Sequence, residues 1–258
     1  MLHAIGALGA AVTAAVADLG QLGGFTLRIL RAAATPPVRA RAFTDELFKL
    51  GVLSLLIISV SGLAVGMVLS LQGYNTLVRF GAENSLGAVV GLSLVRELGP
   101  VLTALLATGR AGSATAAEIG TMVATEQLDG LRMMAVDPIH LVVTPRALAM
   151  TCVMPLLAAV FILAGLMGGY FVGVLLMGLD PGTYMTGLDH AVDFRDDVCG
   201  SLLKAVVFGI LVGIIATFRG YTSAPTSAGV SAATTSTVVV ASVSILIVDY
   251  FITALWGV

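Results

Sequence analysis

Charge is what this sequence has least of. Only 11% of its 258 residues are Asp, Glu, Lys or Arg, while 58% are hydrophobic. Soluble domains carry about 25% charged and about 45–50% apolar residues, so a wholly water-facing surface is excluded. Mean hydropathy is +1.03, and the apolar residues fall in blocks long enough to read as bilayer spans. A net charge of −2 excludes a basic nucleic-acid face. Cysteine is scarce: Cys152 and Cys199 form no CxxC pair, have no metal-ligand spacing and read as small buried hydrophobes. No Lys or Arg precedes Arg28, so the apolar residues 1–33 lack the basic start of a secretory signal and read as retained sequence.

Catalytic signatures are missing as well. The small-residue stretch GRAGSATAAE at 109–118 lacks the Lys-Ser/Thr end of a P-loop and follows no strand, so no nucleotide site is expected on this chain. There is no GxSxG or HExxH, and His3, His140 and His190 fall in polar segments. An embedded lipid enzyme is left without a motif.

What is present is a series of spans. Residues 51–71 are uncharged and cover about 30 Å as a helix, the thickness of the hydrocarbon core. Further spans are predicted at about 86–106, 146–177, 198–218 and 238–258. Together these give an all-α membrane protein with a transmembrane domain over 36–258. Residues 1–35 precede it; glycines at 20, 23 and 24 and a paucity of Leu, Ile and Val favour a helix lying in the membrane interface over a sixth crossing, ended by Thr35-Pro36-Pro37. Gly62 and Gly66 have small-xxx-small spacing, which fits either a close helix contact or an ordinary glycine-tolerant span.

The polar stretch 108–144 separates spans two and three. Thr115 and Glu118 fit a capping box opening a helix over 116–134, ended by Asp137-Pro138. Thr144-Pro145 then caps the third span. With five spans and the N-terminus inside, nine basic residues face the cytoplasm (Arg28, Arg31, Arg39, Arg41, Lys49, Arg110, Arg132, Arg146, Arg219) against Arg79 and Arg195 outside. This bias predicts a cytoplasmic N-terminus and a periplasmic C-terminus.

Arg96 and Glu97 lie near the middle of the second span. A charge at mid-bilayer costs about 2.5 kcal/mol or more, so such residues face a protein interior or a watery cavity. As neighbours on a helix they point about 100° apart and need not pair with each other. They read either as a polar substrate path or as a structural ion pair. Lys204 is close enough to a span end to snorkel, and Asp249 sits within the fifth span. One alternative function follows from these groups alone: a secondary transporter using Glu97 or Asp249 as a proton site, although the paired repeats common in such folds are not evident.

The ordered segments LVRELGPV (94–101), GRAGS (109–113), AEIG (117–120), ATEQL (124–128) and MMAVDP (133–138) resemble the MlaE/YrbE family, permease subunits of bacterial ABC transporters that work with MCE proteins. GLAVGMVL (62–69), LQGY (71–74) and PTSAG (225–229) extend the resemblance from about residue 40 to the C-terminus. It implies a homodimeric permease of the Gram-negative inner membrane that moves glycerophospholipid between the inner and outer membranes and maintains outer-membrane lipid asymmetry. It implies an MlaF-like cytoplasmic ABC ATPase holding ATP and Mg, an MlaB-like STAS-domain protein and a hexameric periplasmic MlaD-like MCE ring, with no cofactor on this chain. The 116–134 helix would be the coupling helix, contacting the ATPase through Glu118, Met122, Glu126 and Gln127. The lipid cavity would involve Leu69, Tyr74, Leu77, Phe80, Arg96 and Glu97. Thr76 and Phe80 depart from the family's usual residues within type.

Overall fold

A computed structural model describes residues 2–35 and 40–256, which form helices and turns with no strand. The Pro36-Pro37 break, Arg39, the His3 side chain and the last two residues of the expected fifth span lie outside the described residues. The elements are α1 (Leu2–Ala34), α2 (Arg41–Phe80), α3 (Glu83–Ala124), α4 (Gln127–Met133), α5 (Ile139–Leu176), α6 (Pro181–Ala191), α7 (Phe194–Tyr221) and α8 (Ser227–Leu255). Five of these, α2, α3, α5, α7 and α8, are long and apolar enough to cross a membrane, in agreement with an all-α membrane fold.

The core is built around α5. Its glycines and those of α2 meet backbone to backbone. A Cβ placed on Gly62 would sit 2.6 Å from the Phe161 carbonyl oxygen, and one on Gly66 would overlap the Gly165 carbonyl. The 62/66 pair is therefore a helix–helix seam, the first of the two readings its spacing allowed. Helix α7 packs on the other side of α5, with Phe208 and Val212 buried beside Met150 and Met154.

Helix α1 stays helical through its three glycines. It seats Phe25, Ile29 and Ala32 against Phe218, Ile139, Val143 and Ala147, and the Phe25 ring centroid lies 5.4 Å from those of Phe218 and Tyr221. Gly81, at φ 65°, ends α2 in the left-handed conformation that glycine adopts without strain.

Several boundaries differ from expectation. Helix α3 does not stop near residue 106 but runs to Ala124. Thr115 is therefore mid-helix and its hydroxyl donates to the Ala111 carbonyl at 2.8 Å rather than capping anything. The expected 116–134 helix is two pieces, because Glu126 takes φ 57°. This turn folds Leu128 back onto Ile119 and Val142, and that burial offsets the roughly 1–2 kcal/mol of a left-handed non-glycine residue. Thr144 does not cap α5 with its side chain: Asp137 Oδ1 accepts the Ile139 N–H at 3.0 Å and opens a π turn over Ile139–Val143, after which the α-helical stretch begins at Thr144 with Pro145 in its first turn, as the sequence suggests. Helix α6 lies between the third and fourth spans, in a polar and acidic stretch. Asp180 caps it by accepting the Thr183 N–H at 2.8 Å, with Pro181 at its first position. Cys152 and Cys199 are exposed, not buried: they lie on outward faces, where a spanning helix presents small apolar groups.

Candidate intramembrane charge cluster

The site begins at Pro100. Proline has no N–H to give the carbonyl four residues back, and its ring pushes that carbonyl away. The carbonyl belongs to Arg96. Helix α3 widens into a π turn over Leu94–Leu98, where the Gly99 N–H reaches the Leu94 carbonyl, a local form often found where a helix carries function. The freed Arg96 carbonyl accepts a hydrogen bond from Lys204 Nζ, 3.2 Å away on α7.

Lys204 is saturated. Its ammonium also donates to Glu97 Oε1 at 2.9 Å and to Thr253 Oγ1 at 2.8 Å on α8, using the three donors an ammonium has. Asp249 Oδ1 lies 3.4 Å away as a further counter-charge. The Thr253 hydroxyl donates in turn to Glu97 Oε1 at 3.1 Å. With a side chain only 9% exposed, Lys204 does not snorkel; it turns inward and ties α3, α7 and α8 together.

Arg96 forms the second pair. Its Nε donates to Asp197 Oδ1 at 2.7 Å, while Asp197 Oδ2 accepts the Asp193 N–H at 2.8 Å. The two partners differ in exposure: Asp197 is 2% exposed at its side chain and Arg96 37%. The carboxylate is thus fixed and the guanidinium keeps an open edge. Arg96, Glu97, Asp197, Ser201, Lys204 and Thr253 border a cavity of about 20 Å³, room for a single water. The Ser201 hydroxyl beside it is buried with no protein partner. Glu97, Asp197 and Asp249 pair with Arg96 and Lys204, and Asp196 adds a fourth carboxylate at the cavity, so acids outnumber cations by two when all are ionised.

The structure divides the residues expected to contact lipid. Arg96 and Glu97 face α7 and α8. Leu69 lines a separate groove of about 290 Å³ between α2 and α3, with Val65, Val68, Gln72 and Leu98. Tyr74 and Leu77 pack half-buried against the core, and Phe80 is 79% exposed at the end of α2. The residues expected to meet the ATPase also separate. Glu118 is ion-paired to Arg146 at 3.0 Å and Met122 packs on Ile119 and Leu128, whereas Glu126 and Gln127 are exposed at the turn.

Asp197 and Thr253 do not stand out in the sequence, yet both complete the cluster. A signal for them exists: Asp197, Ser201 and Lys204 recur at i, i+4 and i+7 on one face of α7, and Asp249 and Thr253 at i and i+4 on one face of α8.

Fold and site together define a polytopic helical membrane protein with an ion-pair network held at a helix break. Comparison with known proteins takes this further. The family described as Permease MlaE matches residues 43–255. The chain is 52% identical over 210 residues to the intermembrane phospholipid transport system permease protein MlaE of Haemophilus influenzae, covering 81% of this chain and 80% of that one. It is 40% identical over 239 residues to a probable ABC transporter permease protein of Rickettsia bellii, covering 93% and 92%. A probable ABC transporter permease protein of Synechocystis is 36% identical over 215 residues, covering 83% and 81%. The chain belongs to the MlaE permease family.

Proposed function

We propose that this chain is the transmembrane permease of an ABC transporter that moves glycerophospholipid between the inner and outer membranes of a Gram-negative bacterium, driven by ATP hydrolysis on a separate cytoplasmic subunit. The observation that carries this reading is the 52% identity to the Haemophilus phospholipid-transport permease over four-fifths of both chains. The relatives are named as permeases, and a non-enzymatic role fits a site built of mutually paired charges. The proton-coupled alternative using Glu97 or Asp249 finds no support in those relatives.

In this reading the chain works as a homodimer with an MlaF-like ATPase, an MlaB-like STAS protein and an MlaD-like MCE ring. Its N-terminus is cytoplasmic and its C-terminus periplasmic, as the basic-residue bias favours; ATP and Mg bind the ATPase. The α2 wall, with Leu69, Tyr74, Leu77 and Phe80, takes acyl chains. The open edge of Arg96 meets the headgroup phosphate, a charge-assisted contact, while Asp197 and Lys204 hold Arg96 and Glu97 in place. Glu126 and Gln127, with Met133 and Met134 exposed beyond them at 89% and 66%, form the ATPase-facing tip, and Glu118 and Met122 support it from behind. A gentle-detergent pull-down tests the assembly: an ABC ATPase and bound phospholipid should co-purify with the chain. Recovery of the chain free of both would overturn the reading.

A further inference from the structure

Arg146 lies outside the charge cluster, near the expected cytoplasmic end of α5, and its side chain is 8% exposed. Its Nη2 reaches two carboxylates on different helices: Glu118 Oε2 at 3.0 Å, near the C-terminal end of α3, and Glu46 Oε1 at 3.3 Å, near the start of α2. Its Nη1 donates to the Val142 carbonyl at 3.1 Å, which anchors the guanidinium on its own helix. Nε is buried with no partner. One buried cation therefore serves two acids, and each acid alone suffices to keep it paired.

Helix α2 is held a second time nearby. Arg110, in the π turn Thr108–Gly112 of α3, donates to the Lys49 carbonyl at 3.2 Å and to Ser54 Oγ at 2.7 Å. One acceptor precedes the 3-10 turn Val52–Ser54 that interrupts α2 and the other is its last residue. Beyond that turn α2 carries the Leu69 groove and ends at Phe80. A helix of this length reaches about 60 Å at 1.5 Å per residue, so a displacement at Glu46 is carried to the far end as long as the turn is held straight.

We infer that Arg146 is a positioning residue that couples the cytoplasmic end of α3 to α2, transmitting a movement of the 118–134 segment to the α2 wall through the Glu118–Arg146–Glu46 bridge, with Arg110 bracing the 3-10 turn. This inference rests on the ABC-permease reading. A buried pair of this kind is poor evidence for stability, because desolvation offsets its Coulombic gain; its value is in fixing two helices to one register. The bridge is severed without stranding a charge by Glu118→Gln or Glu46→Gln, since the remaining carboxylate keeps Arg146 paired.

The test uses the complete transporter reconstituted with its ATPase, in a Cys152→Ser/Cys199→Ser background carrying Arg79→Cys at the far end of α2. In the parent, a non-hydrolysable ATP analogue should change the rate at which the introduced thiol reacts with a maleimide. In Glu118→Gln and in Glu46→Gln that change should shrink by about fivefold or more, the low end of measured site-to-site couplings, with ATPase binding and thermal midpoint near the parent's. Asp129→Asn, which removes an exposed pair with Arg132 on the same segment, should leave the change intact. An unaltered nucleotide response in both glutamine variants overturns the inference, as does a loss matched by a fall in thermal midpoint and reversed when that midpoint is restored by lipid. A parent that binds no ATPase would instead overturn the permease reading.

Discussion

The α2–α5 seam and the α3–α7–α8 cluster sit in the same set of spans and hold helices together by opposite means. At the seam, Gly62, Gly66, Gly165 and Gly168 bring backbones into direct contact, and no charged side chain takes part. At the cluster, Arg96 and Lys204 are paired with Glu97, Asp197 and Asp249 beside one small cavity. Packing at these glycines desolvates no charged group and lets the two backbones approach closely. At the cluster every ion gives up solvation that its partners only partly restore. A chain that needed only to stay folded would use the first device throughout. In the proposed reading the second is kept for function, with the open edge of Arg96 turned to the headgroup phosphate.

The comparison breaks most sharply at Lys204. Lys204→Met leaves Glu97 and Asp249 without their cation, and a severed buried pair costs about 3–5 kcal/mol; thermal unfolding of the purified protein should show it. The triple variant Lys204→Met/Glu97→Gln/Asp249→Asn should recover most of that loss while lipid transfer stays abolished, which separates folding from function. Gly66→Val attacks the seam instead. Its side chain collides with the Gly165 backbone, and at about 3 kcal/mol, the upper end for overpacking, it should lower yield and stability without altering the lipid selectivity of whatever protein survives. Equal effects of both variants on stability-corrected transfer would erase the distinction between the two regions.

Pro100→Ala is subtler. An alanine N–H can bond the Arg96 carbonyl and remove one acceptor from Lys204, a change worth about 1 kcal/mol in either direction. Transfer should fall more than stability does; a parallel fall would mean the π turn is only structural. The smallest effect is expected at Asp180, outside both regions. The Thr183 N–H holds its carboxyl below the ordinary carboxylate range. A depressed folded value means the cap is fully present above the unfolded value and is lost as pH falls through the folded one. Asp180→Asn should therefore be slightly less stable than the parent at neutral pH and flatten the acid side of the profile, the two converging as pH falls, as read by thermal scans from pH 7 downward.

Much of this architecture is legible in the chain. The five apolar blocks, the 62/66 glycine spacing and the isolated Arg96-Glu97 pair each point to what the structure contains. Helix ends are legible only in part. Hydropathy marks where a helix leaves the apolar core, whereas α3 continues to Ala124 and α2 begins at Arg41, because backbone hydrogen bonds continue wherever packing supports them. The Thr115/Glu118 capping pattern misleads for the same reason: a threonine hydroxyl bonds the carbonyl four residues back as readily within a helix as it caps one. The Asp180-Pro181 cap of α6 is a local signal, but a polar, acidic stretch around it reads as loop until Tyr184 is seen buried.

By itself, the sequence determined the membrane class, the number of candidate spans and the family, because apolar run length and ordered motifs are local properties that survive without knowledge of contacts. Only the tertiary structure decided who neutralises Arg96 and Glu97. Their partners lie 101 and 107 residues away on α7, with Thr253 156 residues away on α8. Such pairings arise from which helix faces meet, and the small-residue seams and close packing around α5 set those faces.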